Sequence, residues 1–233
     1  MGSLGKHSKA ISVISGSGLE STTIAVHIVE SVLNTRRQYA LFIRRLENLP
    51  EWKLTAVTTA IAERAWPNFA LFSELVEFGD TAECQHCLNM LWDNIAGHQS
   101  AKNFERLLER LEPCIPDMDE FEMFGAQLAH DAIISTICAV NCSMEPDAGE
   151  SASALTLSLS TIGKFIKYSE ALELKGTELQ QYIEQHEMYL QQLDFIDEIF
   201  ETISKSKQNP ETMKKLRTIA KNDGVSHIGI SLD

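Results

Sequence analysis

Between Leu179 and Ile203, side chains with apolar bodies recur at an unbroken alternation of three and four: Leu179, Tyr182, His186, Tyr189, Leu193, Ile196, Phe200 and Ile203. That rhythm lines one face of a helix and would scatter the same residues over both faces of a strand. It predicts a helix from Thr177 to about Lys205, roughly 40 Å long at 1.5 Å per residue, as the spine of the domain. Ala152, Leu155, Leu159, Ile162 and Ile166 repeat the pattern. No stretch carries the two-residue alternation and turn chemistry of a hairpin. The chain therefore reads as all-α, a compact bundle of eight or nine helices with a long C-terminal spine.

Punctuation places the other helices. Arg36 to Leu49 puts Tyr39, Phe42, Ile43 and Leu46 on one face, with arginines at 36, 37, 44 and 45 outside it. Pro50 is a favourable first-turn residue for the next helix. The organising stretch is Leu54 to Asp80, read as two short helices broken at Trp66-Pro67-Asn68, because an interior proline loses a backbone bond and clashes with the preceding turn. Gly79 stops the second of them. Asp80 or Thr81 starts a helix ending before Gly97, Ser100 to Glu112 forms a shorter one, and a long helix runs from about Asp117 to Cys142. Pro210 opens a last helix that closes at Gly224, and His227 to Leu232 is expected to be extended. Residues 36–233 make one helical domain. Residues 1–35 are Ser/Gly-rich in their first half, with a diluted helical pattern at Glu20 to Asn34, and form a flexible or loosely docked segment.

The charge of −13 is unevenly spread: the first 50 residues carry +3 and the rest −16. A body that acidic repels phosphate backbones, so nucleic acid is not an expected partner. No run of eighteen apolar residues exists, so no membrane span is expected. No signal peptide is recognisable, and five cysteines in such a chain read as reduced thiols of a cytoplasmic protein. The basic helix around Arg36 to Arg45, and Lys214, Lys215, Arg217 and Lys221 near the other end, read as solvated faces or partners of nearby acids.

Four polar residues stand out. Leu54, Val57 and Ile61 form an apolar stripe whose next member is Arg64. A guanidinium there stays charged and needs a carboxylate or carbonyls. Asp131 has the mirror-image problem beside Leu128, Ile134 and Cys138. The expectation is that Arg64 and Asp131 meet inside the bundle, with Glu63 and Asn68 completing the network, as a buried register-fixing pair or as a ligand-binding site. Cys84-Gln85-His86-Cys87 resembles a metal knuckle but lies within a helix. Cys138 and Cys142 could complete a four-thiolate site only if the helices were neighbours, and small buried thiols are the default. Glu83 and His86 have di-iron spacing without the second copy such a site requires. No metal or other cofactor is expected, since phosphate loops, nucleophile elbows and His-Glu-x-x-His motifs are missing from the sequence.

The run Glu63-Arg64-x-Trp66-Pro67-Asn68-Phe69-Ala70-x-Phe72, followed by Phe78-Gly79-Asp80, Leu91-Trp92-Asp93, Phe124-Gly125, Asp131-Ala132 and His227-Ile228-Gly229-Ile230, resembles the YjaG family of bacterial proteins. The resemblance covers about Tyr39 to Ile230. It implies an all-α fold and a bacterial cytosolic protein, and it supplies no reaction, because the family is one of unknown function. The first 35 or so residues and the cysteines at 84 and 87 fall outside its pattern. Two functions follow: a non-catalytic module working through a protein partner or as a homodimer, or a small-ligand binder or enzyme using a pocket at Glu63, Arg64, Asn68 and Asp131. An open cleft at those four residues would favour the second, and full enclosure the first.

Overall fold

The computed structural model describes residues 35–170 and 173–232. The flexible segment expected over residues 1–35 lies outside them save for its last residue. The described residues form nine α-helices: α1 (35–46), α2 (Glu51–Val76), α3 (Thr81–Ile95), α4 (Glu105–Leu111), α5 (Phe124–Met144), α6 (Ala148–Ser169), α7 (Gly176–Gln185), α8 (Glu187–Lys205) and α9 (Pro210–Lys221). The all-α bundle is as the periodicity predicts. Among the described residues the β-contact is an isolated bridge, Val225 to Ser231, which closes the C-terminal loop.

The expected break at Trp66-Pro67-Asn68 does not occur. Pro67 lies inside one continuous helix, α2. An interior proline costs about 3 kcal/mol, but here the neighbouring elements oppose that local preference. α2 packs against α3, α5, α6, α8 and α9, so burial favours a continuous helix through the middle. It ends at Glu77, in the left-handed conformation with φ 54°. The foreseen Gly79 (φ 74°) follows two residues later, where a Cβ would stand 2.9 Å from the Phe69 ring.

The C-terminal spine is corrected in the opposite direction. Its seam is real, but His186 (ψ 138°) divides it into α7 and α8. The imidazole accounts for the division: Nδ1 accepts from the Met188 N–H at 3.2 Å, while Nε2 is 2.9 Å from Glu170 Oε1. A side-chain cap thus replaces a turn of helix. α2, with 26 residues, is the spine instead. The helix expected from Asp117 starts only at Phe124, because Asp117 bonds locally. Its Oδ1 accepts from the Asp119 N–H at 2.8 Å and its carbonyl from that of Phe121, making a turn where a helix would otherwise nucleate.

α5 runs antiparallel to α2. Thr55 at the start of α2 donates to the Cys142 carbonyl near the end of α5, and Gly125 at the start of α5 faces Phe72. α6 returns alongside, with Thr58 donating to Ser151 Oγ at 2.8 Å. Two apolar cores result. One gathers the first half of α2 with α6, α8 and α9, and the other gathers its second half with α3, α4 and α5. The division falls between Ile61 and Ala62, next to Glu63 and Arg64.

Candidate functional site

Glu63 is 3% exposed and accepts from Trp92 Nε1 at 2.8 Å, with Arg217 Nε 3.4 Å from the same oxygen. One carboxylate therefore ties α2 to α3 and α9. Arg217, read from sequence as a solvated charge or the partner of a nearby acid, takes the second role, though the sequence did not name Glu63 as that acid; it also donates to Asn89 Oδ1 at 2.5 Å. Trp92 was visible only as part of the Leu91-Trp92-Asp93 resemblance.

Arg64 does not meet Asp131. Its Nε donates to the Ala220 carbonyl and its Nη2 to the Ile219 carbonyl, both at 2.9 Å, and its guanidinium lies 3.9 Å over the Phe195 ring. These carbonyls end α9, where the helix dipole is negative and backbone acceptors lack helical partners. The cation is satisfied as a C-terminal cap. Burial pulls Arg64 down to about 10, opposed by the negative charge of Glu198, so the cap stays charged at neutral pH.

Asp131 is 4% exposed and finds its partners within α5 and across to α6. It accepts from Gln127 Nε2 at 2.9 Å, Thr161 Oγ1 at 2.8 Å and Lys164 Nζ at 3.0 Å, with His130 Nδ1 at 3.5 Å. Lys164 reaches Asp131 from a side chain that is itself partly exposed. The sequence placed both charges correctly inside the bundle and paired them wrongly. Each takes a partner from the helix packed beside it.

The two charges still act on one group. His227, at the C-terminal loop, is 7% exposed. Burial first, then the positive charge of Arg64, push its pKa down to about 4; the main chain of Arg64 and the charge of Asp131 oppose them. Neither ring nitrogen has a partner of good geometry, and neither does the Asn68 amide, one turn after Arg64 and 2% exposed. The sequence flagged Asn68 as part of the network; the structure leaves it outside the bonds that Glu63, Arg64 and Asp131 make.

A cleft of about 550 Å³ opens elsewhere, at the start of α2 and the ends of α3 and α5, lined by residues including Glu51, Thr55, Asn94, Ser143 and Gln208. None of the four sequence-flagged residues lines it. The cysteines also divide: Cys138 and Cys142 belong to the first core, and Cys84, Cys87 and Cys114 to the second. Among the described residues the cysteines are not gathered into a group that could hold a metal ion. All five thiols are buried, as the default reading held.

The opposite anomaly appears at one end of the bundle. Phe72, Phe78 and Phe121 meet edge to face, with centroids 5.1–5.9 Å apart. Around them Leu75, Met118 and Met123 are exposed, Leu75 by 70%. Next to Met123, Phe124 stacks on Tyr168 at 4.1 Å and 9°, and Tyr168 is 63% exposed. Exposed acids flank the patch: Glu74 and Glu77 from α2, and Asp117, Asp119, Glu120 and Glu122 from the loop before α5.

Comparison with known proteins adds kinship without chemistry. The chain is 27% identical over 188 residues to the uncharacterised protein YjaG of Escherichia coli K12, covering 80% of this chain and 94% of that one. An uncharacterised protein of Haemophilus influenzae is 28% identical over 190 residues, covering 80% and 95%. The crystal structure of a DUF416 family protein from Shewanella baltica OS155 superposes with a TM-score of 0.74 at 29% identity, over 82% of this chain and 98% of that one. No helix among the described residues is long and apolar enough to cross a membrane. The model of the family described as "Protein of unknown function (DUF416)" matches residues 41–231, and the chain belongs to that family.

Proposed function

We propose that this chain is a non-catalytic protein-interaction module and that its docking face is the end of the bundle carrying Leu75, Met118, Met123 and Tyr168. The observation that carries this reading is the 70% exposure of Leu75 beside a ring of edge-packed phenylalanines and an exposed stacked tyrosine. Single exposed apolar residues are ordinary, but a contiguous set rimmed by polar groups marks a contact surface. The acids at its margin and the absence of Lys or Arg from residues 70–80 and 111–123 favour a partner segment that is apolar on one face and basic at its edge. The enclosure of Glu63 and Asp131, each saturated by protein groups, supports the same conclusion. Affinity capture from a related bacterium with wild type and Leu75→Asp, followed by titration of the captured protein in pure form, tests it. The wild type should bind at least tenfold tighter, and equal binding by both would reject this face.

A second reading is a small-ligand site at Glu63, Arg64, Asn68 and Asp131. It is favoured by one specific observation, the unpartnered polar atoms of buried Asn68 and His227. Buried polar groups find a partner in nearly all native structures. A thermal-shift screen against metabolites and nucleotides tests it. A ligand at 100 times its Kd adds about 2.7 kcal/mol, and its shift should vanish in a folded Arg64→Met variant.

A further inference from the structure

We propose that the partner of the apolar end is α1 of a second copy of this chain, docked head to tail, a step that rests on reading that end as the docking face. Arg37, Leu41 and Arg44 stand at helical spacing on the outer side of α1, and all three are exposed, Leu41 by 50%. Phe42 and Leu46 point the other way and are buried in the first core. Arg45 is engaged within the chain, 2.7 Å from Asp197 and 3.9 Å over the Phe200 ring. Arg36, Arg37 and Arg44 make no ion pair or hydrogen bond among the described residues. Between residues 36 and 49 the arginines are opposed by a single acid, Glu47. The outer side of α1 is therefore an apolar side chain flanked by cations.

The apolar end is the converse. Leu75 and Met118 are exposed there among the exposed carboxylates of Glu74, Glu77, Asp117 and Asp119. Opposite charges around an apolar contact steer the encounter and fix its register. The two surfaces lie at opposite ends of the bundle. The Tyr39 hydroxyl of α1 is next to Gly149 at the start of α6, where a Cβ would stand 3.1 Å from it, whereas Tyr168 is at the far end of that helix. The stretch of α6 between them is roughly 28 Å long at 1.5 Å per residue. A chain cannot lay its own α1 on its own apolar end, so the contact forms between copies. Because the two faces differ, each added copy leaves one of each kind open. Association then continues past the dimer unless the rotation closes a ring.

The test is sedimentation velocity of the full chain over a concentration series. Wild type should run as a 26.0 kDa monomer when dilute and as a growing series of oligomers when concentrated, with added salt weakening the association. Arg37→Glu/Arg44→Glu spoils the α1 face and Leu75→Asp the apolar end, and each alone should weaken association by roughly tenfold or more. Mixed together, the two variants should form a 1:1 dimer and nothing larger, because one retains an intact apolar end and the other an intact α1. A wild type that stays monomeric at the highest concentration overturns the proposal and leaves the apolar end to a different protein. Association lost in Leu75→Asp but kept in the α1 variant also overturns it, since two apolar ends are then meeting symmetrically. Association lost in the α1 variant but kept in Leu75→Asp overturns the proposal and the docking-face reading together. The substitutions fall at exposed positions; should either chain misfold, Arg37→Gln/Arg44→Gln and Leu75→Ser repeat the mixing experiment with smaller changes.

Discussion

The middle of the bundle and its exposed end invert the usual distribution of side chains, and they do so differently. In the middle, Glu63, Arg64 and Asp131 are charges taken from water, yet each is answered: Trp92 and Arg217 for Glu63, the end of α9 for Arg64, Thr161 and Lys164 for Asp131. At the end, Leu75, Met118, Met123 and Tyr168 are exposed among the described residues, close in the chain to packed aromatic rings. The first anomaly closes on itself. The second is open, and the proposed docking role rests on that openness.

If the comparison holds, damage to the middle should be read as lost stability and damage to the end as lost binding. The largest effect is expected at Glu63. Glu63→Ala strands the Trp92 N–H and removes the countercharge of Arg217, and breaking a buried pair from one side costs about 3–5 kcal/mol. Urea denaturation should show the midpoint falling with the slope unchanged, while Glu63→Gln keeps an acceptor for Trp92 and recovers part of the loss. Next comes acid. The folded pKa of His227, about 4, lies below its ordinary 6.5, so the unfolded chain binds its proton first as pH falls. Its contribution is whole above pH 6.5 and is lost on the way down to about 4. Between pH 7.5 and 5 that amounts to about 2 kcal/mol at 1.36 kcal/mol per pKa unit. Paired urea melts of wild type and His227→Gln would check it, because the variant should lack that slope. Arg64→Met leaves the Ile219 and Ala220 carbonyls uncapped but keeps apolar contact with Phe195, and the expected cost is about 1–2 kcal/mol by thermal denaturation. The smallest effect on stability, within about 0.5 kcal/mol, is expected for Leu75→Asp. The same variant should show the greatest loss of partner affinity, and that crossover is what would sharpen the contrast.

Much of the fold was legible because it rests on local periodicity. The seam of α6, Ala152 to Ile166, is buried at each predicted position. The errors share a cause. At Pro67 the sequence carries a strong local signal that long-range packing overrides. At His186 and Asp117 a side chain that fits the helical rhythm serves better as a cap or turn maker, and the pattern of apolar residues does not record that choice. For the polar site, burial could be read from the stripe on which Arg64 and Asp131 stand, but partners could not. The acceptors of Arg64 are main-chain carbonyls, present at each residue and therefore without a sequence signature. Arg217 and Lys164 look like any surface cation until a neighbouring helix is put beside them. The apolar end was invisible for a simpler reason: Leu75 and Tyr168 continue good helical faces, and periodicity cannot say which end of a face is left uncovered.

The central position of α2 has a consequence for biosynthesis. Its acceptors at Ile219 and Ala220 lie 155 and 156 residues further along the chain. At 5–20 residues per second a ribosome takes roughly 8–30 s to make that interval. For that time a helix destined to be covered on nearly every side lacks at least one of its covers. The fold cannot be completed from the front, because α9, made after α2 to α8, is the element that accepts from Arg64 of α2. A truncated chain lacking α9 should therefore engage holdase chaperones where the full chain does not.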